Sequence, residues 1–103
     1  MYSSLTFSEL NIGDREVLKV TVGEDKVDAF AAATGDYNPI HVDADYAAKS
    51  QFKRKIVHGV LLTGIISGML GTKLPGLGTV AREMTAKFTR PAFVGEELTA
   101  EVE

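Results

Sequence analysis

Residues 56–70 read IVHGVLLTGIISGML, the most apolar run in the chain. Branched side chains fall on nearly every side of a helix drawn through it, which predicts a helix buried all round rather than along one stripe. Its few non-apolar positions are ordered. Gly59, Thr63 and Ser67 lie four residues apart on one narrow seam, and Gly64 and Gly68 form a second beside it. Small residues let another backbone or a ligand approach closely. The Thr63 and Ser67 hydroxyls have two uses open to them, bonding back to their own helix or facing that approach.

Outward from this helix the periodicity changes. Residues 15–22, REVLKVTV, put Leu18, Val20 and Val22 on one face and predict a strand. From Glu24, Val27, Phe30, Ala31 and Thr34 fall at helical spacing, with Glu24 and Asp25 at the favourable end of the dipole and Gly35 as the stop. Pro39 forbids regular helix through Asn38, and Asp43 is placed to cap a short helix over 44–49. Residues 51–55 form a basic connection. After the KLPGLG turn, Val80, Met84, Ala86 and Phe88 alternate with polar neighbours and predict a half-buried strand. Pro91 and Gly95 bracket a turn, and Leu98, Ala100 and Val102 begin another strand. Strand, helices, then strands is an α+β order, with an antiparallel sheet wrapped around the long apolar helix.

The bulk composition narrows the function. The 103 residues make one domain, 1–103, and a chain so short gains from oligomerisation. A net charge of −3 gives no electrostatic case for nucleic acid or an anionic membrane. The absence of cysteine removes disulfides, thiolate metal sites and cysteine nucleophiles. MYSSLTFSEL has neither the basic nor the apolar region of a signal peptide, and the apolar run is short for a bilayer, so a cytoplasmic protein is expected.

Three chemical patterns compete. Gly76, Gly78 and Ala81 match a dinucleotide fingerprint in letters, but a strand rather than a helix follows, so they read as a turn. Asp36, Asn38, His41, Asp43 and Asp45 resemble a metal loop. Calcium, however, would need glycine and glutamate where His41 and Ala47 stand. Zinc would need a third strong ligand, for which distant His58 or another aspartate is the only offer, so no metal is expected. The third pattern is GDYNPIHVD, residues 35–43, where Asp36 and His41 stand five apart on a segment stiffened by Pro39 and tied by Asn38. That spacing lets both groups face one pocket as an acid–base pair. The Gly59 amide, at a helix start, would be a ready oxyanion donor. The bland alternative is a polar turn with a structural histidine.

Together with FKRKIVHGVLLTGIISGMLG, LPGLGTV and FTRPAFVGEELTAEVE, this loop resembles the MaoC-like (R)-specific enoyl-CoA hydratases of the hot dog fold, over about residues 10 to 103. The resemblance implies a catalytic Asp36/His41 dyad, a Gly59 amide for the thioester carbonyl, and Ser67 and Asn38 at the substrate site. It implies hydration of a trans-2-enoyl-CoA to the (R)-3-hydroxyacyl-CoA, with Asp36 and His41 activating water. No metal or redox cofactor is required, because coenzyme A is part of the acyl-CoA thioester substrate, and a homodimer is expected. A dehydratase of hydroxyacyl carrier-protein or other hydroxyacyl-CoA substrates is the near alternative; a non-catalytic acyl-CoA-binding module is the distant one. The chain departs from the family in having Lys55 before IVHG and in ending at Glu103, short of further strands that the family's sheet carries.

Overall fold

The computed structural model describes residues 2–103. A 3₁₀ turn at Phe7–Glu9 precedes β1 (Glu16–Thr21), α1 (Glu24–Thr34), α2 (Pro39–Val42), α3 (Ala44–Ala48), α4 (Gly59–Thr72) and β2 (Glu97–Val102). The first and last strands pair antiparallel, from Glu16 opposite Val102 to Thr21 opposite Glu97. Arg15 and Glu101 form a 2.8 Å ion pair across them at the surface.

The core lies where α1, α4 and the sheet meet. Val22, Val27, Val57, Leu61 and Ala92 are buried there, with Val20, Phe30, Ile65 and Leu98 packed around them. The approach to α4 is fixed by a short antiparallel zipper. Val57 N–H donates to Ala92 C=O at 2.8 Å and Val94 N–H to Lys55 C=O at 3.1 Å, while Gly95 N–H reaches Val22 C=O at 2.8 Å. The backbone of residues 55–57 is thereby committed to a strand-like bridge, so the helix begins at Gly59 rather than at Ile56. At the far end of α4, Gly76 holds φ near +101° and a Cβ there would meet Ser3 C=O at 2.0 Å, so the N-terminal segment requires glycine in this turn. No helix among the described residues is long and apolar enough to cross a membrane.

Two expectations need correction. Residues 80–88 are extended but form no strand, and Val80 stays 82% exposed. Among the described residues nothing lies beside this segment to accept its hydrogen bonds, and alternation alone cannot make a ladder. As a result α4 is not buried all round. Leu61 and Met69 are buried, whereas Val60 is 61% exposed. The shape records the same shortfall. The radius of gyration is 15.7 Å, where a compact chain of this length has about 13 Å. The exposed area is 7280 Å², against about 5,700 Å² for a folded monomer of this mass.

Candidate active site

The site grows from the end of α1. Gly35 takes the left-handed conformation, φ +79°, that ends a helix, and its N–H closes on Ala31 C=O at 2.8 Å. Asp36 follows at once. Thr34 Oγ1 accepts from Asp36 N–H at 3.2 Å, Asp36 Oδ1 accepts from Asn38 N–H at 3.3 Å, and Asn38 Oδ1 accepts from Ile40 N–H at 3.3 Å. Each short polar side chain thus holds the backbone two residues along. With Pro39 in its first turn, the loop expected from sequence closes into the brief helix α2, capped by Asn38. Asp43 then caps α3, accepting from Tyr46 N–H at 3.1 Å as expected.

This framework presents His41 to the start of α4. His41 Nδ1 lies 2.8 Å from Ile56 C=O. A carbonyl only accepts, so Nδ1 carries the hydrogen and Nε2 keeps the lone pair. His58, the N-cap of α4, takes the opposite tautomer: its Nε2 sits 3.0 Å from the backbone C=O of Asp36 and donates to it. The two imidazoles stack at 3.9 Å between centroids with 29° between planes, and Phe30 packs on His58 at 4.7 Å. His58 is 2% exposed, and its Nδ1 is buried without a partner. A stranded acceptor of this kind costs about 1–3 kcal/mol.

A carboxylate oxygen of Asp36 and one ring nitrogen of each histidine lie within 4.8 Å of one another. Two acceptors that share one water, each about 2.8 Å from it at a near-tetrahedral angle, stand about 4.6 Å apart. No hydrogen bond or ion pair joins Asp36 to His41 among the described residues, and a separation of up to 4.8 Å leaves room for a water between them. The same residues are the ones that the metal reading called for, with His58 brought beside the loop by the fold. One carboxylate and two imidazoles are a donor set that suits a divalent metal.

Gly59 opens α4 and has no carbonyl in its own helix to bond, so its N–H is an orphan donor of the first turn. A Cβ at this position would meet the Phe88 ring at 2.8 to 3.0 Å, so glycine lets that ring close down on the helix start. Beside it opens a cavity of about 370 Å³ walled largely by Phe52, Ile56, Val57, Val60, Leu62 and Phe88. Its volume is in the range of small-molecule sites. Ile56 joins the two halves: its carbonyl holds His41 and its residue lines the cavity. Lys55, the departure noted in the sequence, is ion-paired with Glu24, and Arg54 lies 3.8 Å over the Phe93 ring.

Asp36, His41 and Gly59 are thus gathered in one region, and Asn38 is seen as the cap that shapes the loop. Ser67 is not brought to them. It is exposed on α4, eight residues or about 12 Å along the axis from Gly59. Thr63 takes the bland option, donating to Val60 C=O at 2.7 Å. His58 lies under His41, where the sequence offered it only as a distant zinc ligand, and Phe88 lies on Gly59, where the sequence put it on a half-buried strand. The available signal for His58 was a histidine, one of only two, lodged inside the most apolar run.

Residues 11–103 match the MaoC-like domain family. This chain is a MaoC-like domain. It is 43% identical to the (R)-specific enoyl-CoA hydratase of Aeromonas caviae, covering 96% of this chain and 74% of that protein. It is 40% identical to the 3-hydroxybutyryl-CoA dehydratase of Methylorubrum extorquens, covering 96% of this chain and 63% of that protein. The solved (R)-hydratase of A. caviae involved in PHA biosynthesis superposes with a TM-score of 0.88 at 46% identity, over 91% of this chain and 71% of the other. The MaoC-like domain therefore has the hot dog fold, and it spans between 63% and 74% of the length of these relatives.

Proposed function

We propose that this MaoC-like domain catalyses the reversible addition of water to a trans-2-enoyl-CoA, giving the (R)-3-hydroxyacyl-CoA. The observation that carries the reading is the cluster of Asp36 carboxylate and His41 imidazole at water-bridging separation, next to an orphan amide and an apolar cavity. A water between Asp36 and His41 Nε2 donates both hydrogens to them, which turns its lone pair toward the substrate. Its oxygen bonds to C3 as one proton passes to the dyad. The π electrons move onto the thioester oxygen as enolate, where the Gly59 N–H supports the charge, an effect of about 3–4 kcal/mol. The dyad then returns one proton to C2, so its protonation state is restored. The acyl chain lies in the apolar cavity beyond Gly59. The (R) configuration and the coenzyme A ester are supported by the names of the relatives.

The substrate is mixed with the protein as crotonyl-CoA and the enoyl-thioester absorbance followed. It should fall with the wild type and not with Asp36→Asn, whose circular dichroism should match. Equal rates for the two proteins would overturn the dyad. Running the carrier-protein thioester in parallel separates hydratase from carrier-protein dehydratase. Binding of acyl-CoA by calorimetry with no turnover would favour the non-catalytic module. The reading includes a homodimer: the chain exposes 7280 Å², about 1,600 Å² beyond a compact monomer, about twice what each partner of a standard interface buries. Sedimentation at twice the chain mass is the expected result.

A further inference from the structure

We propose that His58 is a positioning residue for the Asp36/His41 pair, an inference that rests on the hydratase reading. His58 touches both members of the pair. Its ring face lies 3.9 Å under the His41 ring, and its Nε2–H donates to the Asp36 backbone carbonyl at 3.0 Å. Two residues earlier in the same segment, Ile56 C=O accepts from His41 Nδ1 at 2.8 Å. Residues 56–58 therefore clamp residues 36–41 with three hydrogen bonds, the third from Ile56 N–H to Ile40 C=O at 3.2 Å, plus a stack.

The clamp matters because neither dyad residue is held by packing alone. Asp36 is exposed, just past a left-handed glycine, and its carboxylate accepts only from Asn38 N–H among the described bonds. The direction of that carboxylate follows from the backbone at residue 36, and His58 fixes that backbone from beneath. His41 is half-buried on a helix of a single turn. Phe30 packs against His58 with a tilted ring, 4.7 Å between centroids.

The residue type is specific to these two tasks. Phenylalanine would present a ring to His41 but nothing to the Asp36 carbonyl. Glutamine would donate to that carbonyl but leave His41 without a face. The unpartnered, buried Nδ1 is what this choice leaves behind. A purely apolar filler would occupy the space with no stranded acceptor, so the imidazole is retained for geometry rather than for packing.

The test uses His58→Phe and His58→Gln in the full chain, with kinetics on crotonyl-CoA and long-range ¹H–¹⁵N spectra of the imidazoles. In both variants kcat per folded molecule should fall by about 10²-fold, the scale of a misplaced reacting group, while KM moves by less than about threefold. The wild-type spectrum should show His41 as the Nδ1–H tautomer and His58 as the Nε2–H tautomer. His58→Phe should retain the His41 tautomer and lose rate through Asp36; His58→Gln should turn the His41 signals into a tautomer mixture. Wild-type turnover in both variants, at whatever stability they have, would overturn the proposal. So would a His41 spectrum in His58→Gln identical to wild type. A wild type that turns over nothing sinks the hydratase reading, and the spectra then decide the clamp alone.

Discussion

Residues 36–59 and residues 79–90 differ in how far the chain satisfies itself. In the first stretch, capping side chains, a three-bond clamp and a stack of rings hold the candidate catalytic groups. In the second, the backbone from 80 to 91 makes no hydrogen bond among the described residues, and Val80, Met84 and Phe88 are exposed. The candidate site is built from caps within a few residues and a clamp across 15 to 22 residues, and these contacts close within one chain. The apolar wall beside it is built from an alternating segment that pairs with no strand among the described residues. Gly59 sits at the seam, with its amide on one side and the Phe88 ring on the other.

Four measurements can break or sharpen this contrast. The largest effect is expected at the self-contained end. His41→Gln should lower kcat by about 10²–10⁴-fold, the worth of a positioned acid–base group, with a melting curve close to wild type. A milder loss would mean that Asp36 works without it. At the seam, Gly59→Ala forces a methyl to within 2.8 Å of the Phe88 ring and should cost about 1–3 kcal/mol in urea denaturation. Adding Phe88→Ala should restore most of it; if Gly59→Ala alone is neutral, the ring simply swings away and the two regions are uncoupled. Asn38→Ala removes the cap of α2 and should cost about 1 kcal/mol, with a larger relative loss in kcat than in stability. Smallest of all, Val80→Ser should leave the urea midpoint of the dilute protein within about 0.5 kcal/mol, while weakening self-association in sedimentation. A large cost in the dilute protein would show that this segment is packed after all.

What was legible in the sequence was what short-range physics decides. The strand at Glu16–Thr21, the helix at Glu24–Thr34 with its Gly35 stop, and the Asp43 cap all follow from side chains acting within a few residues. The Asp36/His41 pair was legible for the same reason, because Pro39 and Asn38 stiffen the four residues between them. The rest depends on partners far along the chain. Val80 to Phe88 have the alternation of a strand, but pairing needs a neighbour that alternation cannot supply. The start of α4 moved to Gly59 because residues 92–94 occupy the backbone of 55–57. The place of His58 under His41 was hidden by the 16 positions between them in the sequence. Ser67, matched to the site by resemblance, lies two helical turns away from Gly59 on an exposed face.

The order in which this molecule can assemble follows from where its site lies along the chain. Asp36, His41, His58 and the Gly59 amide fall within one continuous stretch, while Glu16 must wait for Val102 before the sheet can register. Contacts of short sequence separation form early and long loops close late. On a ribosome, the site segment emerges roughly forty residues ahead of the strand that completes the sheet, and short-range contacts are the ones that such an early segment can make. A nascent chain would carry the candidate site in draft before it has a fold to keep it.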